Sequence, residues 1–274
     1  MIIYKEIINI KMQSNERFAI RSFRSFNTDE LFLVAIHLDL PDLMNFCLIN
    51  KQTVKLCQKD RIWNYKLQND FPDYSNDFNT ISNINGEIIN NIRSKLNKYK
   101  LLYELNKIKE IFNLKYNLVK LYNLQEFFAH FEKIEVIPKE ICKLRNLRRL
   151  ILSDNRIQFL PTEIGHLQNL KTFDLSNNRI ENLPKEIGDL QNLEILYLSD
   201  NKIKSLPKQI GHLQNLEILY LNKNKIETLP KEIGKLHNLL ELDLSDNRIQ
   251  LLPKEIGHLQ NLKRLYLKGN KIII

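Results

Sequence analysis

The sequence predicts an α/β solenoid with a parallel sheet on its concave face, preceded by a small all-α domain. Three observations predict it. From Ile137 to Ile274 one 23-residue unit is spoken six times, starting at Ile137, Leu160, Leu183, Leu206, Leu229 and Leu252. Inside each unit, apolar and outward positions alternate over a few residues, the period of a strand. Ahead of the repeats, from Asp29 to Phe71, apolar residues recur at helical spacing instead. A chain of 274 residues has room for both parts.

Each unit reads close to LPKEIGxLQNLxxLxLSxNxIxx. In the unit at Leu183, residues 193–198 form a short strand in which Leu196 and Leu198 point inward and Ile195 and Tyr197 outward. The Pro and Gly of the PKEIG stretch turn the chain on the outer side, as loop or a short helical turn. No unit buries its apolar stripe alone, so stacked units share one continuous core. An Asn follows each strand at a fixed offset: Asn155, Asn178, Asn201, Asn224, Asn247 and Asn270. The unit resembles a leucine-rich repeat. The resemblance implies that these asparagines are buried and that their amides bond the backbone of adjacent coils. A buried amide is tolerated only when so satisfied. Replacing one by Ala is therefore expected to cost about 1–3 kcal/mol, measured by denaturant unfolding, because backbone groups lose their partner.

A degenerate unit, Leu114 to Val136, precedes the six. Its residues 121–127 align with residues 167–173, two periods on; Ala129 replaces a core Leu and Glu132 the ladder Asn. Terminal units of solenoids are commonly atypical in this way. At the other end Ile272 to Ile274 either cover the last coil or leave it exposed.

Residues 1–25 read as an N-terminal extension. Residues 26–72 read as three short helices, with Thr28 or Asn27 as the first N-cap and Pro41 opening the second near its first turn. This stretch resembles an F-box. Glu30-Leu31 match that family's Glu-Leu pair, Leu38 to Leu43 (LDLPDL) its second signature, Leu48 to Lys51 its third, and Ile62-Trp63 its closing pair. Asn27-Thr28 stand where the family has Leu-Pro. The resemblance implies docking to the adaptor subunit of a cullin-type ubiquitin ligase through Glu30, Leu31, Leu38, Pro41, Asp42, Leu43, Ile49 and Trp63. Residues 73–113 comprise a polar loop and a connecting helix whose apolar face runs Ile88, Ile92, Leu96, Tyr99, Leu102, Leu105 and Ile108. Together the parts resemble F-box/leucine-rich-repeat proteins, most like those of giant DNA viruses of amoebae.

Net charge is +9, with +6 carried by residues 137–274 and the rest spread along the chain. Dispersed charge, and strand columns of alternating sign, argue against a nucleic-acid partner. The opening MIIYKEIINIK is too short and too charged for a signal or membrane segment, so no membrane partner is expected. Cys47, Cys57 and Cys142 form no even framework, which points to a reducing, cytoplasmic setting, and Cys47 and Cys142 are read as core or incidental thiols. His166, His212 and His258 share one slot two coils apart, about 10 Å, which is too far for a shared metal ion. There is no phosphate loop and no nucleophile–base set, so neither a cofactor nor an enzymatic activity is expected.

The outward strand positions define the candidate interface. One column runs through Ile151, Asp174, Tyr197, Tyr220, Asp243 and Tyr266; its neighbour runs through Arg149, Ile195, Ile218 and Arg264. An aromatic and aliphatic centre with a charged rim is the anatomy of a protein interface. The expected function is a non-enzymatic adaptor: repeats that hold a protein partner, and a helical head that docks a ligase. A stand-alone scaffold or decoy with no ligase partner is the alternative.

Overall fold

The computed structural model describes residues 31–32, 35–36, 38–48, 51–72 and 95–273. They fall into two compact units that divide between Glu104 and Leu105. The expectations for Asn27, Thr28, Glu30, Ile49, Ile88, Ile92 and the polar loop lie outside the described residues.

In the first unit, Leu31, Phe32 and Ala35 are helical. They are followed by α1 (Leu40–Cys47), α2 (Lys51–Cys57) and α3 (Asp60–Asp70). The Asp39 carboxylate accepts the Asp42 amide at 3.0 Å, which starts α1 one residue before Pro41. Leu31, Leu38, Leu43, Ile62 and Trp63 are buried together. The indole of Trp63 donates to the Cys57 carbonyl at 2.7 Å, and its ring lies 5.9 Å from that of Tyr99 on α4 (Lys95–Ile111). Lys66 is also buried, and it is satisfied twice: its ammonium donates to the Leu38 carbonyl at 3.0 Å and pairs with Asp70 at 2.6 Å. Asp70 also accepts the Tyr99 hydroxyl at 2.5 Å. Burial alone would raise the Asp70 pKa, but the hydrogen bonds from Lys66 and Tyr99 outweigh it and hold the carboxyl below its ordinary range.

One expectation is corrected here. Cys47 is not a free thiol: it forms a disulfide with Cys57, with Cα atoms 5.8 Å apart, between the C-terminal ends of α1 and α2. Two helices folded side by side bring together cysteines that the sequence places 10 residues apart. The basis for expecting a reducing compartment is thereby removed.

The second unit is the solenoid. After α5 (Leu118–Tyr122) come seven three-residue strands: β1 (Glu126–Phe128), β2 (Arg149–Ile151), β3 (Thr172–Asp174), β4 (Ile195–Tyr197), β5 (Ile218–Tyr220), β6 (Glu241–Asp243) and β7 (Arg264–Tyr266). They pair in chain order as one parallel sheet, advancing 23 residues per strand. The degenerate unit supplies β1, with Ala129 buried in the core position that Leu fills elsewhere. Between strands, each PKEIG stretch makes one 3-10 helix, beginning with Lys139–Lys143 and ending with Lys254–His258. Each starts after a proline at φ near −65°, whose fixed dihedral and missing N–H suit a helix start.

The six ladder asparagines lie in sequence between these layers. Asn201 is representative. Its amide donates to the carbonyls of Leu175, one coil back, at 2.9 Å and Leu198 at 3.2 Å. Its side-chain oxygen accepts the Ile180 amide at 2.9 Å. Asn155, Asn178, Asn224, Asn247 and Asn270 repeat the pattern. Leu262, Leu265 and Leu267 of the last described coil stay half-exposed, and Ile272 and Ile273 do not close over them.

Candidate protein-binding face

The register aligns the outward side chains into columns. Arg149, Thr172, Ile195, Ile218, Glu241 and Arg264 are successive partners; so are Ile151, Asp174, Tyr197, Tyr220, Asp243 and Tyr266. Leu150, Phe173, Leu196, Leu219 and Leu242, which lie between these positions, are fully buried. Alternation along a three-residue strand thus fixes both the core and the face.

At the centre sit Ile195, Tyr197, Ile218 and Tyr220, all half-buried. The rings of Tyr197 and Tyr220 are 5.1 Å apart and tilted by 42°. The Tyr220 hydroxyl donates to Glu241 Oε1 at 2.9 Å, and Arg264 donates to the other carboxylate oxygen. Glu241 is 6% exposed, so the strand-face position that sequence alternation assigns to solvent is closed by its own neighbours. Arg264 holds the Glu241 carboxyl below its ordinary range, and Tyr220 adds to the effect. Burial, with the hydrogen bond to Glu241, pushes the Tyr220 hydroxyl up to about 12, so it remains a donor at neutral pH. Burial also raises Tyr197, helped by the charge of Asp174.

The rim is ordered at both ends. Arg149 pairs with Glu126 at 3.2 Å and lies over the Phe128 ring. Asp174 and Asp243 sit at the strand ends, where each accepts the amide of the serine two residues on, at 2.9 Å. Tyr266 is 44% exposed. The face therefore offers apolar area, three phenols and carboxylates, and among the described residues no group of three or more His, Cys, Asp or Glu that could hold a metal ion. Cys142 replaces the outer-turn glycine and is buried; burial, helped by the Glu163 charge, pushes its thiol up to about 12 and keeps it protonated.

In the helical unit the expected adaptor contacts separate by exposure. Leu31, Leu38, Leu43 and Trp63 are core residues rather than surface contacts. Pro41 is exposed and Asp42 half-exposed. Leu48, 77% exposed, and Val54 add apolar surface to the same unit.

Three features escaped sequence reading. The Asn of each LQN triplet forms a second ladder: Asn169, Asn192, Asn215, Asn238 and Asn261 donate to carbonyls 24 residues earlier at 2.8–2.9 Å. The residue before each ladder asparagine has a left-handed backbone, at Asp154, Asn177, Asp200, Lys223 and Asp246, and finally Gly269. The residue after each ladder asparagine is basic (Arg156, Arg179, Lys202, Lys225, Arg248 and Lys271), which puts much of the positive charge off the strand face. The signal for all three was the 23-residue period itself, read at positions that look like ordinary solvated polar residues.

These strand-and-3-10 coils, stacked in parallel and locked by buried asparagines, define a repeat solenoid of the protein-binding kind. Residues 106–222 match the family model of the leucine-rich repeat region, and residues 214–272 match that of the leucine rich repeat. The chain is a leucine-rich-repeat protein. Among solved structures it is similar to a leucine-rich-repeat protein of Leptospira interrogans: 44% identity, TM-score 0.55, over 57% of this chain and 40% of that one. It is also similar to an internalin of Listeria monocytogenes: 25% identity, TM-score 0.50, over 56% and 44%. The match thus spans less than half of either relative. No curated protein matches the chain.

Proposed function

We propose that the chain is a non-enzymatic interaction adaptor whose strand face captures a protein partner. Leucine-rich-repeat proteins mediate protein–protein interaction, and the observation that carries the reading here is the Ile195, Tyr197, Ile218 and Tyr220 cluster. Four apolar or aromatic residues form one patch on a face where Glu126 and Glu241 are paired with Arg149 and Arg264. Such a centre supplies desolvated contact area, and its rim supplies orientation. Affinity capture with the full chain, with and without substitutions at Tyr197 and Tyr220, tests it: recovery of a partner that depends on those residues is expected, and recovery indifferent to them removes the reading.

The finer reading is that the helical unit acts as an F-box, so the chain presents substrates to a cullin-type ligase by proximity alone, most like the giant-virus relatives that its sequence resembles. The exposed Pro41, Leu48 and Val54 favour it. Co-expression with the adaptor subunit should give a stable complex that Pro41→Ala with Leu48→Asp abolishes. No complex, with the helical unit folded, leaves a stand-alone scaffold or decoy. Thiol counting under native conditions bears on the same choice. A cytoplasmic ligase subunit is expected to titrate Cys47 and Cys57 as thiols, whereas the disulfide leaves only Cys142.

A further inference from the structure

The two strand-face columns carry four carboxylates (Glu126, Asp174, Glu241 and Asp243) against two guanidiniums (Arg149 and Arg264), a formal charge of −2 on a chain of +9. Glu126 and Glu241 are neutralised by Arg149 and Arg264. Asp174 and Asp243 have no ion-pair partner among the described residues; each is engaged only by neutral groups, the Ser176 amide and the Ser245 amide and hydroxyl. Both stand in the column that holds Tyr197 and Tyr220, one at either end of the aromatic pair. The order along the sheet is therefore carboxylate, phenol, phenol, carboxylate.

Resting on that reading of the strand face, we propose that it selects an extended peptide segment with two basic residues four positions apart and an apolar residue midway. The spacing carries the choice. Asp174 and Asp243 are three strands apart, about 14 Å at ~4.8 Å per strand. An extended chain advances about 13 Å over four residues, and residues i, i+2 and i+4 face the same way. A segment laid across the strands thus sets its two cations over Asp174 and Asp243. Its central apolar side chain lands midway, over the seam between the tyrosine rings, with Ile195 and Ile218 beside it. A helix covers only about 6 Å in four residues and does not reach both carboxylates. The negative face on a basic chain also repels acidic segments and steers basic ones, an effect that weakens with salt.

The test uses the full chain and two 12-residue fluorescein-labelled peptides of identical composition, read by fluorescence anisotropy. One carries the order basic–Ser–Leu–Ser–basic in a Gly/Ser background; the other places the two basic residues side by side. The first is expected to bind at least tenfold more tightly. The double variant Asp174→Asn/Asp243→Asn keeps the side-chain oxygens that cap Ser176 and Ser245, so it folds, and it is expected to abolish the preference. Equal binding, the reverse preference, no binding of either peptide, or an unchanged preference in the asparagine variant overturns the proposal. The wider reading is checked separately. A captured protein partner that is lost with Tyr197→Ala/Tyr220→Ala yet retained by the asparagine variant leaves the strand face as an interface and removes only the charge spacing.

Discussion

At the scale of single residues, the backbone before the ladder asparagine sets a rule that one unit breaks. Asp, Asn and Gly tolerate the left-handed region because a short polar side chain or a missing Cβ relieves the clash. Lys223, at φ 54°, has neither advantage. Lys223→Asn is expected to stabilise the solenoid by about 1 kcal/mol in chemical denaturation, the lower end of the cost of a left-handed non-Gly residue. The Lys223–Asp200 ion pair that it removes is exposed and contributes little. Glu241 makes a second residue-scale prediction. Its carboxyl titrates below the unfolded value because Arg264 and Tyr220 stabilise the anion. The stabilisation is fully present above the ordinary glutamate range and is lost as pH falls through the lowered folded-state value. Stability measured against pH should therefore drop on the acid side, and Glu241→Gln should flatten that part of the curve.

At the scale of elements, glycine at the outer turn is fixed by the stacking of coils. A Cβ at Gly211 would stand 2.5 Å from the Glu232 carbonyl oxygen of the next coil, and one at Gly188 or Gly234 would be equally close to backbone. A Cβ at Gly257 meets nothing within 4 Å. Gly211→Ala should unfold the chain at a clearly lower temperature, while Gly257→Ala should leave it within about 0.5 kcal/mol, as for a surface substitution. Calorimetry of the two variants compares one chemical change in two settings. Much of this was legible in the sequence. A 23-residue period fixes strand register, so Tyr197 beside Tyr220 and Asp174 beside Tyr197 followed from counting. Pro and Gly marked the outer turn as loop or a short helical turn, and the structure makes it a 3-10 helix. What counting did not give was closure between columns. Glu241 is hidden by the reach of Tyr220 and Arg264, and a one-strand alternation rule knows nothing of neighbours. Nor did it give the Cys47–Cys57 pairing, which depends on how two helices pack rather than on any spacing.

At the scale of the whole molecule, charge is sorted rather than merely dispersed. Basic residues follow every ladder asparagine, whereas the strand face carries two unpaired carboxylates beside an aromatic pair. Buried Leu, Ile and Asn hold the coils, and the half-buried Tyr197, Tyr220, Ile195 and Ile218 form the part of the strand face proposed to meet a partner. No helix among the described residues is long and apolar enough to cross a membrane. The most direct test is the double variant Tyr197→Ala/Tyr220→Ala, compared with the unaltered chain in partner capture and in melting temperature. Loss of the tyrosine pair removes about 1 kcal/mol of ring–ring contact and about 1–3 kcal/mol at the Tyr220–Glu241 hydrogen bond, a combined shift of about 4–16 °C. The expected result is abolished capture with a melting temperature lowered by no more than that; undiminished capture, or a collapse of the melting temperature, would contradict the assignment of this face to binding.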